Sequence, residues 1–352
     1  MTYYLTLSAE HIEHTIALIK PDRLLCIADK EATHACPELL TPLFAKINKE
    51  DIYTHSGGEN IKTLSHVETI CEWLAQRGAT RKSLLFIVGG GAVLDLGGFV
   101  AAVYKRGVPV VYIPTTLLSM VDAAFGGKTA VNMGSIKNSI GVFKEADQVF
   151  IDTAFIHTLS DAEKISGFCE VIKYGLLECE SFYYDTLSFD PLAKNSSYND
   201  LVRKSIETKM KYVADDLCDL GKRQFLNLGH TVGHAFEGYS RKMANKQRRA
   251  LLHGEAVCFG LIVELYISHL FLGFPLRHIK SLVQFAKDNI PAYPFDCTEY
   301  QFLLKLMYQD KKNRSNHIAI IGLREIGEPK KIEVSDELIK GGLDFFRETF
   351  GH

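Results

Sequence analysis

The chain has 352 residues, which is more than one ordinary hydrophobic core fills, so we expect two domains. Its composition of 47% hydrophobic and 23% charged residues is typical of a globular protein and excludes a disordered or fibrous chain. The formal net charge of −2 argues against nucleic acid or an anionic membrane as the main partner. An anionic ligand would therefore have to bind a local cluster of basic residues.

The sequence shows no targeting pattern. The N-terminus lacks the basic start, apolar run and cleavage site of a signal peptide, and we find no apolar stretch long enough to predict a membrane helix. The eight cysteines are scattered without a CxxC pair, which fits reduced thiols better than a disulfide framework. We therefore expect a cytoplasmic protein without a membrane partner.

Residues 1–159 alternate short apolar strands with helical segments. The predicted strands are LLCIAD, IYTHS, LLFIVGGG, VPVVYIPT and QVFIDT, and residues 31–46 and 61–77 have helical periodicity. This order predicts a doubly wound, mostly parallel α/β sheet, which binds ligands at the carboxyl ends of its strands.

Residues 160–352 are predicted to form an all-α second domain. Helical periodicity covers residues 161–187, 200–218, 228–242, 254–272, 276–289 and 335–349, and a short apolar piece near the end, HIAIIGL, resembles part of a hairpin. The chain is therefore predicted to divide after residue 159 into an α/β domain and a helical domain.

A glycine turn follows the strand LLFIV. The sequence GGGAVLD, residues 89–95, would bring backbone amides and a helix N-terminus close to a phosphate. Leu94 occupies the position of the last glycine in GxGxxG, so a tight turn without a ligand explains the motif about as well.

A second polar block extends from Thr115 and Thr116 to Asn138. Its GGKT sequence is not a P-loop, because Asp122 stands where the pattern GxxxxGK[ST] requires glycine. Lys128, together with Lys137 and Asn138, predicts a pocket that binds phosphate, and the alternative is a solvated loop. Upstream, GGENIK is either a plain helix start or a place where Glu59 contacts a ribose and Lys62 an anion.

Three histidines lie in one glycine-marked segment. His230 and His234 are one helical turn apart, and His253 follows in HGEA, which is compatible with a metal site or with ordinary histidines of an amphipathic helix. Glu170 and Lys173 share a helix face and are either a surface ion pair or a half-buried pair beside the metal, with Glu170 as a ligand.

With these blocks in order, the sequence resembles the 3-dehydroquinate synthase family of sugar-phosphate cyclases. The resemblance covers residues 29–327 and rests on the motifs GGENIK, GGGAVLD, YKRG, PTTLLSMVD, GGKTAVN, KNSIG, IDTAFIHTL, EVIKYG, LNLGHTVGHAFE, HGEAV and DKK. It implies an NAD-binding α/β domain at residues 1–159 and a helical domain at residues 160–352 that binds metal and substrate. It also implies one zinc or cobalt ion, a phosphorylated small-molecule substrate, a homodimer, and a role in the shikimate pathway of aromatic amino acid biosynthesis. The chain departs from the family in a longer, basic segment between His230 and His253, and in Asp29-Lys30 at the adenosine side.

The resemblance also implies roles for individual residues. The metal ligands would be Glu170, His230 and His253, with His234 unligated near the leaving phosphate. NAD would contact Asp29, Glu59, Lys62, Gly90, Gly91, Ala92, Asp95, Thr115, Thr116, Lys128, Lys137, Phe155 and Thr158. The substrate would contact Asp122, Lys128, Asn138, Lys173, Lys209, Arg223, Asn227, His234, Lys311 and, from the partner subunit, Arg106.

The implied reaction converts 3-deoxy-D-arabino-heptulosonate 7-phosphate into 3-dehydroquinate through transient oxidation, loss of phosphate, reduction, ring opening and aldol closure. Related cyclases that form inosose or valiolone rings are one alternative, and metal-dependent polyol dehydrogenases of the same architecture are another. A catalytically inactive scaffold is a third. The many anion-binding groups, including Lys128, Lys137 and Arg223, favour the phosphorylated substrate over a simple polyol.

Overall fold

The computed structural model describes residues 2–134, 136–244, 248–309 and 317–350, and the chain divides into two compact units. Unit 1 comprises Met1–Ser160 and Ser197–Met210, and unit 2 comprises Asp161–Ser196 and Lys211–His352. The predicted division between residues 159 and 160 assigned the whole later part of the chain to the second domain. The segment Ser197–Met210 packs with unit 1 instead, so unit 1 is built from two separate parts of the chain.

A six-stranded parallel sheet forms the centre of unit 1, as the alternation of strands and helices predicts. Its strands are β1 (Thr2–Tyr4), β2 (Leu24–Asp29), β3 (Ile52–His55), β4 (Leu84–Gly89), β5 (Val110–Pro114) and β8 (Gln148–Phe150). Their order is β1-β8-β5-β4-β2-β3. In the sheet, β3 lies on one side of β2, and β4, the next strand along the chain, lies on the other side of β2. The strand order therefore reverses between β2 and β4, which is where sheets of this type bind ligands.

Helices cover the sheet. They are α1 (Ala9–Ile19), α2 (Lys30–Ala35), α3 (Pro37–Phe44), α4 (Leu64–Gln76), α5 (Gly91–Val103) and most of α8 (Asn199–Val213). The predicted helix over residues 31–46 is two helices, because Pro37 lacks an amide hydrogen and begins a new one. The predicted helix over residues 61–77 begins at Leu64, since the Thr63 hydroxyl caps it by accepting the His66 amide.

An antiparallel hairpin interrupts the path from β5 to β8. Its strands β6 (Lys128–Met133) and β7 (Ile136–Phe143) carry the GGKT and KNSIG motifs. The sequence of this stretch predicts a polar pocket, and the two strands are a difference from that prediction. The hairpin fixes Lys128 opposite Phe143 and brings Asn138 back towards the sheet.

Unit 2 is mostly helical and contains a second hairpin. Its helices are α6 (Asp161–Glu178), α7 (Glu180–Leu187), α9 (His230–Met243), α10 (His253–Leu272), α11 (Leu276–Asn289), α12 (Tyr300–Tyr308) and α13 (Asp336–Phe350). The predicted apolar piece HIAIIGL forms β9 (Ile318–Leu323), which pairs with β10 (Pro329–Val334). The helix predicted over residues 161–187 breaks at Cys179, and the one predicted over 200–218 ends at Val213.

The helix α10 lies at the centre of unit 2. It packs against α6, α9, α11, α13 and β9, and its apolar residues face all sides, as expected of a core helix. Within the described ranges, α10 is the helix that is long and apolar enough to cross a membrane, so the expectation of no such stretch was wrong. Since 72% of that stretch is buried inside the protein, packing in the core accounts for its composition.

Candidate metal centre and nucleotide site

Three side chains of unit 2 converge where α9 and α10 begin. Glu170 comes from the middle of α6, and His230 and His253 are the first residues of α9 and α10. The Glu170 Oε1 atom lies 3.6 Å from His230 Nε2 and 3.3 Å from His253 Nε2. One ligand atom of each residue lies within 4.8 Å of the others. Two imidazoles and a carboxylate form a known ligand set for catalytic zinc, so this group fits one divalent ion.

The second ring nitrogen of each histidine also has a partner. His230 Nδ1 lies 3.1 Å from the Leu228 carbonyl oxygen, and His253 Nδ1 lies 3.2 Å from Glu237 Oε2. Hydrogen bonds of this kind place the proton on Nδ1 and direct Nε2 at the ion. Both rings are therefore oriented for coordination through the nitrogens that face Glu170.

The charges around Glu170 are compatible with a cation at this position. The Lys173 ammonium lies 2.5 Å from Glu170 Oε2, and both side chains are buried. Burial and the charge of Lys173 lower the pKa of His230 well below its usual value, so this imidazole is neutral and can bind a metal. Burial also lowers the pKa of His253, but hydrogen bonds with Glu170 and Glu237 outweigh it and raise that pKa to about 10. The carboxylates thus attract positive charge to the centre.

Close backbone contacts set the spacing of the three ligands. A Cβ atom on Gly254, the residue after His253, would lie 1.7 Å from the Ser166 carbonyl oxygen of α6. A Cβ atom on Gly260 would lie 1.9 Å from the carbonyl oxygen of Gly229, the residue before His230. Since any side chain at either glycine would collide with main chain, α10 can approach both α6 and α9 only because these residues are glycine.

A buried carboxylate holds the first turn of α9. Glu264 of α10 accepts the Gly229 amide at 2.8 Å through Oε2 and the Val232 amide at 3.0 Å through Oε1. These amides lie at the positive end of the helix, where a carboxylate is favourable. Glu264 is fully buried, so it fixes the position from which His230 projects.

We expect Glu264→Gln to lower the free energy of unfolding by about 3 kcal/mol, because the amide group replaces one acceptor and leaves a buried N–H without its charged partner. Chemical denaturation of the ion-free protein measures this change. Glu333→Gln, on an exposed residue of β10, is the matched control and should change stability little. Equal stability of the two variants would contradict the assigned role of Glu264.

His234 lies beside this group without joining it. Its side chain is exposed, and its ring centroid is 5.2 Å from that of His230 and 5.9 Å from that of His253. His234, Glu237 and His253 also offer ligand atoms within 4.8 Å of one another. The two groups differ in burial, since His234 is exposed whereas Glu170 and His230 are both buried. The Glu170 group is therefore the better candidate.

In unit 1, the predicted glycine turn lies at the reversal point of the sheet. Gly90 precedes the first turn of α5, which contains Gly91 and Ala92 and whose amides have no acceptor within the helix. A Cβ atom on Gly90 would lie 3.2 Å from Thr116 Cγ2, and one on Gly91 would lie 3.4 Å from Ala123 Cβ. The turn thus gives a phosphate close access to backbone amides at a helix N-terminus.

Other predicted nucleotide contacts lie at or after the ends of β2, β5 and β8. Asp29 ends β2, and its carboxylate is so close to Gly57 that a Cβ atom there would lie 2.2 Å from Asp29 Oδ2. Thr115 follows β5 and donates its amide to the Gly89 carbonyl, while the Thr116 hydroxyl bonds to Ser119. Phe155 and Thr158 lie in the turn after β8, where the Thr158 hydroxyl donates to the Phe155 carbonyl.

Lys62 connects several of the predicted nucleotide contacts. Its buried ammonium lies 2.7 Å from Asp95 Oδ2, 2.5 Å from Asn138 Oδ1 and 3.7 Å from Glu59 Oε1. Burial raises the pKa of Asp95 to about 6, although the Lys62 charge opposes this shift. Residues from α5, from the turn before α4 and from the hairpin are therefore held together by one cation.

A cavity of about 310 Å³ opens beside this cluster. Asp95, Lys128 and Asn138 contribute polar groups to its wall, and Phe143 and Val142 contribute apolar surface. Lys137 is half-buried on the same hairpin. The arrangement offers an anion a lysine and an amide next to an apolar surface.

Asp122 and Lys209 form a further pair in unit 1. The Lys209 ammonium donates to both Asp122 Oδ1 and the Asp122 carbonyl, each at 2.6 Å. Lys209 lies on α8, and this pair links that helix to the turn of residues 119–123. Two polar groups that the sequence suggested only through the resemblance are thus in direct contact.

The remaining predicted residues are placed as follows. Arg223 is buried in unit 2 and donates from Nη1 to the Leu217 carbonyl at 2.6 Å, and Asn227 donates to the Gln224 carbonyl at 2.9 Å. Arg106 is exposed in unit 1, in the left-handed backbone region. Lys311 lies outside the described residues.

Sequence reasoning missed Glu237 and Glu264, which support the histidines. Glu237 ends the motif GHAFE, one helical turn after His234, but its partner His253 is distant in sequence. No sequence pattern indicated the role of Glu264, because a single acid in an apolar helix does not reveal which backbone amides will donate hydrogen bonds to it. Only the packing of α9 on α10 brings these carboxylates to the centre.

Comparisons with known proteins agree with this arrangement. Residues 52–166 match the family model for the 3-dehydroquinate synthase N-terminal region, and residues 167–313 match that for its C-terminal region. A 3-dehydroquinate synthase of Parabacteroides distasonis is 39% identical over 97% of this chain and 96% of its own length.

Two solved structures share the fold. One is 2-deoxy-scyllo-inosose synthase complexed with carbaglucose-6-phosphate, NAD+ and Co2+, which has a TM-score of 0.80 and 24% identity and covers 97% of this chain and 95% of its own. The other is 2-epi-5-epi-valiolone synthase from Streptomyces hygroscopicus with NAD+ and Zn2+ bound, at a TM-score of 0.75 and 21% identity over 93% of this chain and 91% of its own.

The parallel sheet, the glycine turn and the helical unit with its Glu170, His230 and His253 group define a protein with the dehydroquinate synthase-like fold. Matches to both family models over most of the sequence narrow this class further. The chain belongs to the 3-dehydroquinate synthase family.

Proposed function

We propose that the protein converts 3-deoxy-D-arabino-heptulosonate 7-phosphate into 3-dehydroquinate and inorganic phosphate, a step of the shikimate pathway. The observation that carries this proposal is the convergence of Glu170, His230 and His253 in a chain whose family match covers both units. The scattered cysteines support a cytoplasmic location. The reaction needs no net oxidant, because the hydride removed at the start is returned.

The residues present fit NAD and one zinc or cobalt ion. The Gly90 turn leaves room for a phosphate, and two imidazole nitrogens with one carboxylate suit a divalent metal. When bound, NAD would accept and return a hydride, and the metal ion would polarise the hydroxyl group on the carbon from which that hydride leaves. Glu170, His230 and His253 hold the ion, and Glu237 and the Leu228 carbonyl keep the two imidazoles in the coordinating orientation.

Basic and amide groups bind the anionic ends of the substrate in this proposal. Lys128 and Asn138 bind phosphate, since both line the 310 Å³ cavity. Arg223 binds the substrate carboxylate through its planar guanidinium, and Asn227 lies one short turn further along the chain. Lys173, Lys209 and Asp122 orient hydroxyl groups, and Lys311 adds positive charge.

Elimination of phosphate needs a proton acceptor for the C–H bond beside the newly oxidised carbon. The departing phosphate itself can take this proton while the C–O bond breaks and its electron pair stays with the phosphate. His234 is exposed beside the metal ligands and can donate a hydrogen bond to that group. A dedicated carboxylate base is not required.

A homodimer is part of the proposal. The hairpin of unit 1 exposes Met133, Ile136, Val142 and Phe143, an apolar surface of the kind that a second copy covers. Arg106 is exposed in the loop after α5 and would serve the site of the neighbouring subunit.

The purified protein, supplied with NAD and cobalt, is expected to release phosphate from the heptulosonate phosphate in amounts equal to the 3-dehydroquinate formed. NADH should not accumulate, because each hydride is returned. A phosphate assay and NADH absorbance measure the two quantities, with chelator-treated protein as the control. Steady accumulation of NADH with glycerol, or turnover of a sugar phosphate that lacks the carboxylate, would refute the proposal.

A further inference from the structure

Within the basic segment 240–249, the described residues, 240–244 and 248–249, make ion pairs in unit 2. Arg241 Nη2 lies 2.5 Å from Glu237 Oε1, Arg248 Nη1 lies 2.7 Å from Glu299 Oε1, and Arg249 Nη1 lies 2.6 Å from Glu255 Oε2. The three carboxylate side chains are 7%, 17% and 3% exposed, so each is largely removed from water. A buried carboxylate is costly unless it is paired or hydrogen-bonded, and the segment supplies a positive partner for each of these three.

Two of these carboxylates lead directly to the metal ligand His253. Glu237 uses its other oxygen, Oε2, to contact His253 Nδ1 at 3.2 Å. Glu255 is the third residue of α10, and its Oε2 atom accepts the Leu252 amide at 2.8 Å in a capping box. Arg241 therefore acts on the imidazole through one carboxylate, and Arg249 acts on its backbone through another.

The third arginine anchors the end of the segment. Arg248 donates to the Tyr239 hydroxyl at 2.8 Å as well as to Glu299, which ties the chain to α9 and to the turn before α12. The Leu251 amide, two residues before His253, donates to Ser240 Oγ at 3.0 Å. This hydrogen bond joins the chain that follows the segment to the segment's first residue. The chain that leads into His253 is thus held at several points.

We propose that Arg241, Arg248 and Arg249 form an arginine clamp that positions His253 for metal binding. This inference rests on the proposed metal centre, and it assigns a role to the basic segment by which the sequence departs from its family. The arginines are positioning residues, since none of them belongs to the ligand group. The clamp keeps the Glu237 carboxylate turned towards His253 Nδ1, and it holds the first turn of α10 in place.

The test is a titration of ion-free protein with Co2+, followed by the visible absorption of the bound ion. Arg241→Ala and Arg249→Ala are each expected to raise the dissociation constant about 10-fold, and the double variant about 100-fold, the range known for partners of metal ligands. The absorption bands of bound Co2+ should also shift, because His253 reorients. Arg241→Lys and Arg249→Lys keep one donor for each carboxylate and should restore most of the affinity.

Arg277→Ala is the matched control, because Arg277 is exposed and its partner Glu180 lies 3.8 Å away on the surface of unit 2. It should bind Co2+ like the unchanged protein. If the alanine variants at 241 and 249 bind Co2+ with unchanged affinity and spectrum, the clamp is refuted while the metal centre stands. If the unchanged protein fails to bind Co2+ and His253→Ala behaves identically, the metal centre itself is refuted, and the clamp with it.

Discussion

Glu170→Gln is expected to abolish metal binding and to lower the free energy of unfolding of the ion-free protein by about 3–5 kcal/mol, the cost of leaving a buried charge without its partner. The amide lacks the negative charge of the Glu170 carboxylate, which both His230 Nε2 and His253 Nε2 face. It also leaves the Lys173 ammonium buried and without the carboxylate 2.5 Å away. Metal analysis of the purified variant and chemical denaturation in a chelator measure the two effects.

A double variant separates the two effects. Glu170→Leu combined with Lys173→Met replaces the buried ion pair by apolar side chains of similar size, so most of the lost stability should return. Metal binding should not return, because the ligand oxygen is still missing. Metal binding retained by Glu170→Gln would show that another oxygen, such as that of Glu237, completes the ligand set.

Gly90→Val is expected to weaken NAD binding at least 100-fold, which corresponds to about 2.7 kcal/mol. The backbone at Gly90 has φ −75° and ψ −178°, which valine adopts without strain. The branched side chain would instead fill the space between Thr116 and the first-turn amides of α5, where we place the phosphates of NAD. Calorimetric titration with NAD measures the loss.

The proposed metal ligands belong to unit 2, so Gly90→Val should bind Co2+ normally. Gly341→Ala is the control, because no atom within 4 Å would meet its Cβ and the residue lies inside α13. That variant should bind NAD and Co2+ like the unchanged protein. NAD binding that survives in Gly90→Val would place the dinucleotide away from the glycine turn.

The sequence predicts most of the sheet because the pattern of its strands is local. β4 is a run of buried apolar residues followed by glycines, and both properties are visible in six to eight letters. The hairpin of β6 and β7 was missed because Lys128, Asn132 and Lys137 interrupt its apolar residues, so it read as a polar loop. Its pairing depends on the rest of unit 1.

The ligand group was predicted as a set, but its supports were not. His230 and His253 begin helices within recognisable motifs, whereas Glu264 and Glu255 act on backbone amides whose positions depend on how α9 and α10 pack. The same limit applies to α8. Its amphipathic pattern predicts a helix but does not reveal that residues up to Met210 pack with unit 1.

The contacts at Gly254 and Gly260 make the spacing of the metal ligands a property of the main chain. We expect that a change of side-chain rotamers in the core around α10 leaves the distances between Glu170, His230 and His253 unchanged. In contrast, one methyl group at either glycine would push two helices away from each other. Variation and laboratory evolution can therefore alter most of the surrounding core while the coordination geometry persists. Gly254 and Gly260 are therefore positions at which a substitution is expected to change the coordination geometry.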